Sequence, residues 1–328
     1  MPIYDIFNGD ADGICALHQL RLADPRPEAQ IITGVKRDIK LLARLRELAV
    51  SGDDITVLDI SMSSNMAELK ELLARGCRIF YADHHFSGEI PANPALTAHI
   101  DPAPDICTSL IIDRLLLGRY RAWAVVAAFG DNLHDAARAA AKDLQLSADS
   151  LGILRELGEL LNYNGYGATV SDLHFHPRDL FAAVQPFADP FAFCREAPQL
   201  VQLREGFLAD MENARAQKTV EDNKIGRIYR FPAQAWGKRA AGVFINERAR
   251  ELPGKAHALL VDNGDDTFMV SVRAPLENKH GADKLCLAFP TGGGRQAAAG
   301  INALSVLSIE SFIEKFFEIF KAAVVAPL

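Results

Sequence analysis

The residues best suited to chemistry fall at the ends of three short apolar runs. Ile3-Tyr4-Asp5-Ile6-Phe7 leads into Asn8-Gly9-Asp10-Ala11-Asp12-Gly13, Ile55-Thr56-Val57-Leu58 delivers Asp59, and Cys77-Arg78-Ile79-Phe80-Tyr81-Ala82 delivers Asp83-His84-His85. Asp131 joins them after Gly130, where the apolar segment 122–129 ends. Asp10, Asp12, Asp59, His84 and Asp131 thus put oxygen and imidazole ligands on four loops. Such a set suits Mn²⁺ or Mg²⁺ better than a structural Zn²⁺, which favours thiolates in a closed tetrahedral shell. Two divalent ions about 3.5–4 Å apart, bridged by a carboxylate and a water, make hydroxide at neutral pH and clamp a phosphoryl group. The expected reaction is hydrolysis of a phosphoester or phosphoanhydride. A lone Asp-x-Asp-Gly reads as a helix cap after a tight turn, and a lone Asp-His-His says as little. Their recurrence at successive strand ends carries the argument.

Positioning these residues requires a particular scaffold. Strands are expected near 2–7, 30–35, 55–59 and 78–82, with helical spacing over 12–22, 38–49 and 63–74 between them. That alternation predicts a doubly wound parallel sheet, whose ligands gather at the carboxyl ends of its strands. Further buried helices are expected over 107–117 and 122–129. His174 and His176 precede Pro177 with no acid to complete a site, and read as surface or packing histidines. A long polar-faced helix over 195–223 is expected to link a first domain, 1–194, to a smaller α/β domain, 224–328, with the active site in the cleft between them. In the second domain Gly292-Gly293-Gly294-Arg295 lets backbone N–H groups approach an anion, with Arg273 as a second candidate for phosphate or carboxylate.

Composition narrows the partners. A formal net charge of -7 over 328 residues argues against a broad electrostatic grip on long nucleic acid, yet leaves room for short anionic substrates in one cleft. The five cysteines are scattered without a Cys-x-x-Cys pair, which suits a reduced, cytoplasmic protein. Asp5, Asp10 and Asp12 interrupt any signal-peptide core, and no stretch approaches the ~20 apolar residues of a membrane span.

At these residues the chain resembles the DHH phosphoesterase family with its DHH-associated carboxy-terminal domain. Asn8-x-Asp10-x-Asp12-Gly13 looks like the first motif, Leu58-Asp59 the second, Asp83-His84-His85 the third and Gly130-Asp131 the fourth. Gly292 to Gly300 looks like the glycine-rich signature of the second domain. The resemblance covers nearly the whole length. It implies Asp10 on a first metal, with Asn8 beside it, and Asp12 on a second, which His84 and Asp131 complete. Asp59 would bridge the two. His85 would contact substrate phosphate or orient the nucleophile, and Asp83 would support a histidine. Arg273, Gly292, Gly293, Gly294 and Arg295 would hold the far end of the substrate. Two departures stand out: Asn8 replaces a His that many members carry, implying a weaker first site or amide ligation, and Arg295 replaces the His of the glycine signature.

The expectation is therefore a Mn²⁺-dependent hydrolase, two ions per chain with Co²⁺ or Mg²⁺ as substitutes, acting on short oligonucleotides or linear dinucleotides such as pApA. Short-chain polyphosphate is the alternative substrate. A non-catalytic nucleotide or anion sensor is the alternative from another class, and a processive exonuclease on long strands fits the acidic balance least. A homodimer is compatible with this sequence; no long duplex or membrane partner is expected.

Overall fold

Runs of β-branched and aromatic residues too short for helices form strands in the computed structural model, which describes residues 2–325. In the unit Met1–Glu205 they are β1 (Ile3–Asn8), β2 (Gln30–Gly34), β3 (Asp54–Leu58), β4 (Arg78–Asp83) and β5 (Leu96–Ile100), in the order β2-β1-β3-β4-β5. Every pairing is parallel. β5 lies outside the strands expected from the sequence. It is an edge strand that pairs β4 alone and is mostly half-buried, so it needs no continuous apolar run.

Helices α1 (Ala11–Ala23), α2 (Met66–Ala74), α3 (Thr108–Leu115), α4 (Arg121–Gly130), α5 (His134–Ala141), α6 (Ala148–Asn164), α7 (Pro177–Val184) and α8 (Pro190–Glu196) complete this unit up to α9 (Pro198–Ala216). One layer of the core packs Tyr4, Ile6, Ile55, Val57, Ile79 and Tyr81 of the sheet against Leu41, Leu42, Leu45, Leu69 and Leu72. Each such Leu or Ile contributes about 1.5–3 kcal/mol by leaving water.

Two expected helices differ from the structure. Over 38–49 only the 3-10 turn Leu41–Leu45 forms. Asn65 takes over the backbone there: its Nδ2 donates to Ile39 O at 2.6 Å and its Oδ1 accepts from Leu42 N at 3.4 Å, while the three leucines still reach the core. The long helix over 195–223 is broken at both ends. Ala197 is extended before Pro198, as a residue preceding proline tends to be, and 219–222 is the strand β6 (Thr219–Asp222).

The unit Gly206–Leu328 has its own mixed sheet, in which β7 (Gly226–Phe231), β8 (Ala256–Asp262), β9 (Thr267–Arg273), β10 (Gly292–Gly294) and β11 (Ala298–Ser305) join β6 in the order β10-β11-β9-β8-β7-β6. Only β7 and β8 run parallel. Helix α10 (Ala235–Glu251) covers one face through Phe244 and Ile245; α11 (Ala282–Leu287) and α12 (Ile309–Val325) cover the other through Leu285, Phe312, Phe316 and Phe320. No helix among the described residues is long and apolar enough to cross a membrane.

His18 on α1 gives the first unit a pH signature. Its ring packs edge-on against Trp123 at 4.7 Å and its Nε2–H donates to Phe187 O at 2.8 Å. Burial pushes its pKa from 6.5 to about 4, against the opposing pull of that hydrogen bond. Between those values the unfolded chain binds the extra proton, so stability is full above pH 6.5 and declines as pH falls toward 4, by roughly 3 kcal/mol. Unfolding free energies measured from pH 7 to 4 should show this loss, and His18→Gln should flatten it. An unchanged slope in the variant would place the titration elsewhere.

Candidate functional site

The sheet order reverses direction between β1 and β3, and that switch point is where open α/β sheets bind ligands at the carboxyl ends of their strands. β1 ends at Asn8 and the chain turns through Gly9 into α1. A Cβ on Gly13 would lie 2.1 Å from Asn8 O, and one on Gly9 would lie 1.9 Å from Gly34 O. Only glycine lets the helix start so tightly against the strand. Asp10 is the N-cap of α1, its Oδ1 accepting from Asp12 N at 3.0 Å and Gly13 N at 3.1 Å. Cap and ligand readings of Asp-x-Asp-Gly are thus both satisfied by one geometry.

Asp12 faces the first turn of α3, where Thr108 N and Ser109 N each donate to its carboxylate at 2.7 Å. The positive end of that helix helps hold the charge. Asp59 follows β3 with φ 58, a left-handed conformation that aspartate and asparagine adopt more readily than other side chains. Thr108 Oγ1 donates to its Oδ1 at 3.2 Å. Asp131 follows α4, whose end is brought close to α6 by paired glycines: a Cβ on Gly158 would meet Val126 O at 2.1 Å.

His84 donates Nδ1–H to Ile106 O at 2.8 Å, which leaves the Nε2 lone pair facing inward. That nitrogen lies 3.5 Å from Asp59 Oδ1 and 3.6 Å from Asp131 Oδ2. Adjacent ligands of an octahedral cation with ~2.1 Å bonds are about 3 Å apart, so these groups already stand near the edges of a coordination shell. Asp12, His84 and Asp131 offer ligand atoms within 4.8 Å of one another, as do Asp59, His84 and His85. Asp10 and Asp59 also interact side chain to side chain.

So many buried acids in one place perturb each other. Burial raises the pKa of Asp59 well above the usual carboxylate range, and the charges of Asp12, Asp10, Asp131 and Asp83 raise it further. Asp12 is raised by burial and by Asp131, with His84 opposing. Burial acts on Asp10 in the same sense, but the Lys36 ammonium outweighs it and holds that carboxyl below its ordinary value. The donor set of carboxylates and imidazole, short of positive charge, fits a hard divalent cation. His85 is half-exposed, with Nδ1 2.7 Å from Asp83 Oδ1. Burial lowers its pKa, but the Asp83 hydrogen bond and charge more than offset this and raise it above 6.5.

Several participants escaped the sequence reading. Lys36 Nζ lies 2.5 Å from Asp10 Oδ2, 3.1 Å from Asp131 Oδ1 and 3.0 Å from Asn162 Oδ1. Its signal was its position, directly after the apolar run Ile31 to Val35, where the same strand-end logic selected Asp59 and His84. Thr108, Ser109 and Asn162 carried no such signal. His174 and His176 are engaged in packing: His174 Nε2 is 2.8 Å from Tyr163 Oη, and His176 Nδ1 caps α7 by accepting from Arg178 N.

In the second unit the glycine run is a strand and not a loop. Gly292–Gly294 pairs antiparallel with Ile301, Gly300 and Ala299, and a tight turn at 295–298 joins β10 to β11. Gly292 and Gly294 are required by packing, since a Cβ would meet Cys286 O at 1.8 Å or Ala299 Cα at 2.4 Å; Gly293 has nothing within 4 Å. Arg295 is exposed at that turn. Arg273 pairs with Ala298 beside it, donating Nε–H to Asn246 Oδ1 at 2.7 Å. The structure therefore places Gly292, Gly293 and Gly294 on the edge strand β10, Arg295 in the β10–β11 turn and Arg273 at the end of the interior strand β9, two strands in.

No protein-family model and no curated protein sequence matches the chain. Solved structures do. RecJ from Thermus thermophilus in complex with Mn²⁺ superposes with a TM-score of 0.66 at 16% identity, covering 99% of this chain and 52% of that one. An exonuclease RecJ bound to manganese gives 0.57 at 19% identity, covering 99% and 91%. The pGpG-specific phosphodiesterase PggH of Vibrio cholerae gives 0.55 at 12% identity, covering 98% and 100%. This chain spans about half the length of the Thermus RecJ. The two-unit α/β fold implied by the sequence resemblance is thus the fold these enzymes share.

Asp59 offers a stability test of the crowded site. Asp59→Asn removes a buried charge while keeping a side chain that tolerates positive φ, so the metal-free protein should gain about 1–3 kcal/mol. Calorimetry in EDTA should show Tm rising by roughly 3–10 °C. A lower Tm would mean that the carboxylate is not strained by its neighbours.

Proposed function

We propose that the chain is a divalent-cation-dependent hydrolase of short phosphate-linked substrates, preferring Mn²⁺ and acting on linear dinucleotides such as pGpG or pApA and on short oligonucleotides. One observation carries this reading: Asp12, Asp59, His84 and Asp131, up to 119 positions apart in the chain, converge at the switch point of the sheet. A divalent ion held by these four side chains would supply Lewis acidity toward a phosphoryl oxygen and a water of lowered pKa. Outer-shell contacts orient the ligands: Thr108 and Ser109 fix Asp12, Thr108 Oγ1 fixes Asp59, and Ile106 O sets the His84 tautomer. His85, whose Nδ1 is held by Asp83 and whose hold on a proton Asp83 strengthens, is suited to donate a hydrogen bond to a phosphate oxygen.

The named activity of PggH and the manganese complexes of RecJ support this choice of substrate class and metal. A second reading, short-chain polyphosphate, is favoured by the exposed Arg295 beside Arg273, since permanent guanidinium charge grips phosphate without needing a base.

Purified protein with Mn²⁺ should release mononucleotides from pGpG or pApA, and EDTA should stop it. His84→Ala should lower kcat beyond the ~10–100-fold typical of outer-shell changes, and His85→Ala by about 10²-fold. Phosphate release from polyphosphate alone would favour the second reading. Inactivity on all of these substrates would overturn both.

A further inference from the structure

Lys36 stands where a cation would be expected. Its three ammonium N–H groups meet three oxygen acceptors, on Asp10, Asp131 and Asn162. The Tyr166 ring lies 5.7 Å away. The side chain is only 28% exposed, and its backbone is tied down on both sides: Lys36 N donates to Gly165 O at 2.9 Å, and Lys36 O accepts from Asn8 Nδ2 at 3.1 Å. Asp10 therefore has one oxygen committed to the α1 cap and the other to the ammonium.

A second observation concerns Asn8. The resemblance implies a weaker first site or amide ligation at this position, and the Asn8 amide is tied through Nδ2 to Lys36 O at 3.1 Å, which leaves its buried Oδ1 as the one donor that Asn8 could offer a cation. The third is the ligand grouping. Among the carboxylates, imidazoles and thiols of the described residues, the gathered sets of three contain Asp12, Asp59, His84, His85 and Asp131, and Asp10 belongs to neither. The donors fit one divalent ion on the His84 side and do not fit another on the Asp10 side, where an ammonium already fills the space between Asp10 and Asp131.

We infer that Lys36 Nζ takes the place of one of the two cations, so that this chain holds a single divalent ion, at Asp12, Asp59, His84 and Asp131. This rests on the hydrolase reading above and sharpens it. An ammonium cannot lower the pKa of a water as a divalent ion does, but it is a fixed positive charge beside which phosphate can bind. The divalent ion alone then limits activity, and metal dependence should be hyperbolic, without cooperativity between ions.

The test is Mn²⁺ titration of the full chain by calorimetry, with electron paramagnetic resonance of the loaded protein. Wild type should take one Mn²⁺ per chain and give an uncoupled six-line spectrum. Lys36→Ala combined with Asn8→His should take two and show exchange coupling. Two ions in wild type would overturn the inference while leaving the hydrolase reading intact. A count of one in a folded double variant would also overturn it, because removing the ammonium would not have opened a site. If the double variant does not fold, the wild-type count and spectrum decide alone. No bound Mn²⁺ in wild type, together with no hydrolysis of pGpG, would remove both the inference and the function it rests on.

Discussion

The constraint that organises the first unit is electrostatic: Asp10, Asp12, Asp59 and Asp131 share one edge of one sheet, and the first three are almost wholly buried. Like charges so placed cannot all stay ionised unless positive charge is brought to them. The fold supplies part of it. Asp10 has Lys36, Asp12 has the amino end of α3, and Asp131 shares Lys36 while facing His84. Asp59 has one hydroxyl donor from Thr108, and burial and the charges of its neighbours push it toward the neutral form. What the protein lacks at Asp59 is what a hard cation would provide.

Much of the surrounding architecture serves that crowding. Gly9 and Gly13 let β1, β2 and α1 meet without room for a Cβ, and Gly158 lets α6 cross α4 closely enough to bring Asn162 near Asp131. Asp59 adopts a left-handed backbone directly after β3, at the edge where the other acids gather. These are costs in intrinsic stability, of the kind that cluster at functional sites and are offset elsewhere. The offset lies in the apolar layers beneath, from Tyr4 and Ile6 to Ile79 and Tyr81.

The parts legible in the sequence were those written as local pattern. Short apolar runs followed by acids or histidines predict strand ends, and four of the parallel strands fall where expected. The edge strand β5 was missed because it is exposed enough to have no apolar signature. The helix over 38–49 was a true amphipathic pattern captured by Asn65, a residue more than twenty positions away. Lys36 was readable in principle, by its place after β2, but a lysine invites no metal-ligand reading and its three partners lie 26, 95 and 126 positions away. Thr108 and Ser109 act mainly through backbone N–H groups, which no side-chain pattern reports. In the second unit the glycine signature was legible as a motif but not as a strand, because pairing with β11 depends on contacts the spacing does not encode.

Where a cation sits decides how this site works. Crystals grown with Mn²⁺ and measured at the manganese absorption edge should give an anomalous peak within about 2.0–2.3 Å of ligand atoms on Asp12, Asp59, His84 and Asp131. Anomalous density confined to other parts of the protein, with these four side chains left uncoordinated, would contradict this placement.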